Sequence, residues 1–146
     1  MLKGLAEAGA YRPGGASEAT GEIVGSTHRL MTVQVVTDSS ARLSAEDRQR
    51  WSIRQVPLHV LVGGTDLLDG VDPMPNDIHD RSQVSTSGAS PADLSDAYRK
   101  ALVDSDGDGV VAVHISAALS GTFSTAAGVA REFGSAVRVV NSRSAA

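Results

Sequence analysis

The stretch that decides the fold is VVAVHISAALSGTFSTA, residues 110–126. Its first four residues are apolar and mostly β-branched, which predicts a buried strand. The chain then passes through small hydroxyl residues and a glycine before a helical pattern begins. A strand that runs through such a turn into a helix is the βα unit of a parallel sheet. Ser116, Ser120, Gly121, Thr122 and Ser124 either cap that helix or hold a small anionic group at its start.

Working outward, the helix is predicted over 121–133, with Phe123, Ala126, Ala127, Ala130 and Phe133 as its apolar positions. VRVV (137–140) is the last strand. Towards the N-terminus, TVQVV (32–36) is the first clear strand and TDSS (37–40) a turn after it. Ser40 or Ser44 caps a helix read at 44–51. IRQVPLHVLV (53–62) is a second strand region, in which Pro57 marks a break or an edge because it cannot donate to a ladder. GGTDLLDG (63–70) is a turn and a short strand, and a short helix covers 75–82, led by Pro75 and Asn76. STSGASP (85–91) is a loop that ends in Ser90 as N-cap and Pro91 at the first helical position. The helix it starts runs from 91 to about 103, with Leu94, Ala97, Tyr98, Ala101 and Leu102 on one face. DSDGDG (104–109) breaks the chain before the strand at 110–115. Strands alternate with helices, and the strands near 33–36 and 110–115 are almost wholly apolar. The expected fold class is therefore α/β, a mainly parallel sheet buried by helices on both faces. In such folds function gathers at the carboxyl ends of the strands. Residues 1–31 lack a sustained period and are rich in Gly, Ala, Ser and Thr, which predicts a flexible leader before a domain over 32–146.

Composition narrows the function. The chain has 146 residues and a formal net charge of −4, with no Lys/Arg cluster, so a nucleic-acid partner is not expected. Aromatics make up only 3%, so the core must be built from aliphatic side chains and there is no stacking platform for single strands. The chain has no cysteine, which excludes disulfides and thiol chemistry and fits a cytoplasmic location. No apolar run approaches the ~20 residues of a membrane-spanning helix, so no integral membrane association is expected.

Three chemical readings compete at the turns. A serine hydrolase needs a base and usually a G-x-S-x-G elbow, whereas Ser120 lies in ALSGT. His114 is near in sequence, but at a strand end its ring can point into the core. No phosphate loop of the Walker or dinucleotide type occurs. DSDGDG imitates the start of a calcium loop, but its twelfth position is Ile115 rather than Glu, so it reads as a polar turn. The four histidines (28, 59, 79 and 114) show no ligand spacing, and His59, alternating within a strand, reads as structural. Hydroxyls and free N–H groups that converge on one sheet edge from TDSS, STS and SAALSGT are the remaining possibility. They suit an oxyanion.

VQVVTDSSARL, VPLHVLVGG, STSGASP, VHISAALSGTFSTA and VRVVNSRS occur in the order seen in the DegV family of bacterial fatty-acid-binding proteins, which the chain resembles over residues 32–144. The resemblance implies a carrier and not an enzyme, with no cofactor and no metal. It implies that a long-chain fatty acid is bound through its carboxylate and presented to a fatty acid kinase subunit for phospholipid synthesis. By motif, Thr86, Ser87 and Ser120 would hold the carboxylate, Gly121 and Thr122 would shape the turn around it, and Asp38 and Ser39 would line the same edge. Family members often carry Gln and Pro where Gly88 and Ala89 stand, which predicts a looser loop. Asn141 replaces the usual Asp and removes a negative charge. The family has two α/β domains, and this chain reads as the first, with the second absent. Its rivals are a truncated remnant that binds nothing, and a small-molecule hydrolase or phosphotransferase that uses Ser120.

Overall fold

The computed structural model describes residues 32–145. The reading of residues 1–31 as a leader lies outside them. Four parallel strands form the main sheet: β1 (Gln34–Asp38), β2 (Ile53–Val56), β6 (Val110–His114) and β7 (Val137–Asn141), in the order β2-β1-β6-β7. The helices are α1 (Ala45–Arg50), α2 (Pro91–Asp104) and α3 (Thr122–Ala130). Ser44 caps α1 by accepting from Asp47 N at 3.0 Å, and Ser90 caps α2 by accepting from Asp93 N at 3.1 Å. Both are the short side-chain oxygens that a helix start requires.

α2 and α3 pack together on one face of the sheet. Val36, Ala112 and Val110 meet Leu94, Tyr98, Ala101 and Ala126 there, and all of these are buried. Right-handed crossover from β1 to β2 places α1 on the other face. That face is only half-covered, because α1 buries none of its residues and packs mainly on β2. Burial along β6 accordingly alternates, with Val110 and Ala112 buried and Val111 and Val113 intermediate, although the run is apolar throughout.

A second sheet departs from the sequence expectation. The region 53–62 divides into two strands at the break expected at Pro57. Pro57 separates β2 from β3 (His59–Val62), which leaves the parallel sheet and joins an antiparallel one. There β3 is central, flanked by β4 (Thr65–Leu68) and β5 (Val84–Ser87). Gly63 and Gly64 link β3 to β4, both with positive φ (56° and 87°), as a two-residue hairpin turn demands. β5 overlaps the stretch read as a loop (85–91), because its polar residues become a strand only through pairing, Val60 with Thr86 and His59 with Ser87. The helix expected over 75–82 is a single 3₁₀ turn, Ile78–Asp80. The helix expected over 121–133 ends at Ala130 and continues as 3₁₀ turns over Arg131–Ala136, broken by Gly134 at φ 59°.

Leu94 is fully buried at the centre of the α2 contact. Leu94→Ala should cost about 2–5 kcal/mol. Urea unfolding should show this as a lower midpoint with an unchanged slope.

Candidate functional site

The two sheets enclose a cleft of about 670 Å³ at the carboxyl edge of the parallel strands. This lies within the size range of small-molecule sites. Its apolar wall comes from Leu58 and Val60 beside β3 and in it, Val84 of β5, and Met74 and Ile78 from the connection between β4 and β5. Ile115 and Leu119 close it from the β6–α3 turn. Ser40, after β1, lies in its floor, and the polar rim is formed by Arg42, Asp69 and His79, by Thr86, Ser87 and Gly88 at the end of β5, and by Ser120 and Gly121 before α3.

Of the residues predicted to hold an anion, the structure brings Thr86, Ser87, Ser120 and Gly121 to this one rim. Strand alternation splits the first pair. Thr86 lies with Val60 on the cleft side, whereas Ser87 pairs with His59 and, at the strand end, lines both this cleft and the neighbouring hollow beside His59. Thr122 is fully buried and serves from beneath. Its N–H donates to Ser120 Oγ at 3.2 Å, and the two hydroxyls are 2.9 Å apart. With Thr122 as donor in that pair, the Ser120 proton is free to meet an anion in the cleft.

Gly88, expected to loosen its loop, stands where a side chain has no room. A Cβ at this position would stand 2.8 Å from Thr122 Oγ1 and 3.3 Å from Thr122 N. The missing side chain is what lets the end of β5 lie against the start of α3, so that Thr86, Ser87 and Ser120 line one cleft. Asn141, in place of Asp, keeps an acceptor. Its Oδ1 takes the N–H of Ala117 at 3.2 Å and of Arg143 at 3.1 Å, which fixes the β6–α3 turn to the end of β7.

Asp38 and Ser39, expected to line the edge, lie beneath it, and both are buried. Ser39 Oγ donates to Asp69 Oδ2 at 2.7 Å and accepts from Leu58 N at 3.0 Å, so it bolts β1 to the segment that leads into the second sheet. Asp38 Oδ2 accepts from Ile115 N at 2.9 Å and contacts His114 Nδ1 at 3.0 Å. Its Oδ1 accepts from Ser40 N at 3.1 Å and from Ser40 Oγ. His114 Nε2 meets Tyr98 Oη at 3.0 Å, which completes a buried chain from the end of β1 to α2. Burial alone would raise the Asp38 pKa, but the bonds from His114, Ser40 and Ile115 outweigh it and hold the carboxyl below its ordinary value. Burial, and then the charge of Asp38, push the Tyr98 phenol well above its usual range, so it remains a proton donor.

Sequence reasoning missed Arg42 and the apolar wall. Arg42 takes a left-handed backbone (φ 51°) and pairs with Asp69 Oδ1 at 3.1 Å. No local pattern marks it, because its place follows from the 3₁₀ turn over Ser39–Ala41. Among the described residues no group of three or more acidic or histidine side chains could hold a metal ion, and no helix is long and apolar enough to cross a membrane.

With this geometry in view, the comparisons with known proteins are decisive. The family model described as "Uncharacterised protein, DegV family" matches residues 32–146. The chain belongs to the DegV family. A DegV domain-containing protein of Mycobacterium tuberculosis is 65% identical over 116 residues, which are 80% of this chain and 41% of that protein. Another, from Streptomyces coelicolor, is 38% identical over 113 residues. The chain spans about two fifths of the length of these relatives. Among solved structures, a DegV family protein from Thermus thermophilus described for its fatty acid binding superposes with a TM-score of 0.70 at 36% identity, covering 76% of this chain and 41% of that one. DegV of Bacillus subtilis, described as a fatty acid binding protein, superposes at 0.65 with 26% identity, covering 75% and 40%. The α/β architecture read from the sequence is the architecture of this DegV domain.

Gly88→Ala should destabilise the domain by about 1–3 kcal/mol through overpacking. The same change in a Thr122→Ala background should cost less, by about 0.5 kcal/mol or more in a double-mutant cycle of urea unfolding. His59 places its Nδ1 2.9 Å from Asp66 Oδ2, and its Nε2 approaches Asp93 Oδ2 at 3.5 Å, an ionic contact but not a hydrogen bond. The bond to Asp66, together with the charges of Asp66 and Asp93, raises its pKa above 6.5 against the opposing effect of burial. A raised histidine stabilises fully below its unfolded pKa and loses that contribution as pH rises through the folded value. Unfolding measured across that window should show wild type losing stability with rising pH relative to His59→Gln. A difference between the two proteins that does not change with pH would remove His59 as the clamp between β4 and α2.

Proposed function

We propose that this domain binds a long-chain fatty acid, with the carboxylate at the Thr86–Ser87–Ser120–Gly121 rim and the acyl chain along the apolar wall between the two sheets. The cleft itself carries this reading: one space of about 670 Å³ lined both by aliphatic side chains and by hydroxyls. A carboxylate accepts charge-assisted bonds from hydroxyl and backbone donors without needing a metal or a nucleophile. Each methylene buried along Leu58, Val60, Met74 or Ile78 contributes about 0.8 kcal/mol, so the tail supplies affinity and the rim supplies orientation. The relatives from Thermus thermophilus and Bacillus subtilis, described as binding fatty acids, support the same class of ligand.

Binding, rather than turnover, is the role the side chains favour. Ser120 pairs with Thr122 and not with a base, and both ring nitrogens of His114 are engaged by Asp38 and Tyr98. Thr86, Ser87 and Gly121 are exposed at the rim, so a bound head group would face solvent and a second protein. We extend the proposal to that step: a cytoplasmic carrier that offers the carboxylate to a fatty acid kinase subunit for phospholipid synthesis.

Titration with a fluorescent long-chain fatty acid tests the binding. Saturable binding is expected, and Ser120→Ala should weaken it about tenfold, the loss of one hydrogen bond to a charged group. Absence of saturable binding by the folded chain, or equal binding by Ser120→Ala, would sink the assignment.

A further inference from the structure

The parallel sheet reverses its winding between β1 and β6, since the chain passes outward from β1 to β2 and, on the other side, from β6 to β7. The crevice outside the carboxyl ends of those two strands is where open α/β sheets hold the anionic part of a ligand. Its donors are the backbone N–H groups just beyond the strands and the side chains beside them. Here they are Ile115 N, Ser40 N, the Ser40 hydroxyl and His114 Nδ1, and all four are directed at one carboxylate, that of Asp38. Asp38 is the last residue of β1 and has no exposed surface.

The geometry points to Asp38 as a built-in anion: its carboxylate takes up the donors of the β1/β6 crevice and so denies them to the phosphate or carboxylate of a ligand. Ser40 and Ile115, which it holds, form part of the floor of the cleft, so the filled position lies directly beneath the open one. Asp38 is in this sense a specificity-determining residue. It leaves an incoming anion the hydroxyl rim around Ser120, where a single carboxylate can be met by O–H donors. That consequence rests on the fatty-acid reading, whereas the filling of the crevice by Asp38 does not.

Removing the side chain should uncover a site for a small anion, with formate as the probe. In Asp38→Ala, sodium formate should raise Tm by ~4 °C or more over sodium chloride at equal ionic strength. Wild type, whose site is filled by its own carboxylate, and Asp38→Asn, whose amide occupies the same volume, should show no such difference. Asp38→Ser leaves similar room and retains one acceptor for the turn, so it answers the same question if the alanine variant is recovered only as insoluble protein. For a variant that needs help to fold, the refolding yield in formate over chloride replaces Tm. Equal responses of all four proteins to formate would overturn the inference, as would failure of formate to stabilise or recover either small-residue variant. Fatty acid titration of wild type is independent of these outcomes, so failure of the carrier reading and failure of this one are distinguishable.

Discussion

A carboxylate with no access to water governs this structure. Asp38 is costly to bury unless every lone pair is met, and the donors that meet it come from β1's own turn, from the end of β6 and from the His114 ring. His114 is in turn held by Tyr98, which reaches down from α2 and packs edge-on against Phe133 with ring centroids 6.0 Å apart. One polar chain therefore fixes the relative positions of two central strands, a helix and the turn beyond β6. The cleft floor inherits its shape from that chain, because Ser40 and Ile115 are bonded to Asp38.

The second constraint is the break at Pro57. By ending the parallel sheet at β2 it sends β3 into a separate antiparallel sheet, and the space between the two sheets becomes the cleft. Few contacts span that space. Ser39 joins Asp69 and Leu58, His59 approaches Asp93, and Gly88 rests against Thr122. Each is a polar or close backbone contact that sets a distance, while the aliphatic residues between them set the character of the cavity.

Much of this was readable from local chemistry. The β-branched runs at β1, β6 and β7, the caps Ser44 and Ser90, and the apolar face of α2 all carry their signal within a few residues. The hydroxyls of STS and SAALSGT were legible as turn residues for the same reason, whereas their assignment to a carboxylate came from the family resemblance. What was not legible depends on partners distant in the chain. Val84–Ser87 is polar and becomes a strand only beside β3. Pro75 and Asn76 resemble a helix start, but no apolar period follows them, and only one 3₁₀ turn forms. Asp38 and Ser39 look like turn residues exposed at an edge, because nothing near them in sequence shows that His114 and Asp69 will cover them. Gly88 looked permissive and proved to be a contact, which only the position of Thr122 reveals.

The two sheets also differ in how far along the chain their partners lie. β3 and β4 are joined by two glycines, and a hairpin of this kind closes in about 1–10 μs. The pairing of β1 with β6 is of much longer range, since Asp38 and His114 are 76 residues apart, and closing so long a loop is entropically expensive until its contacts form. Assembly should therefore run from the edge inward: the small antiparallel sheet early, the central β1–β6 pair late, and the Asp38 carboxylate dehydrated only at that last step. The cleft is then the seam between a part that folds locally and a part that folds globally, shaped when the second closes against the first.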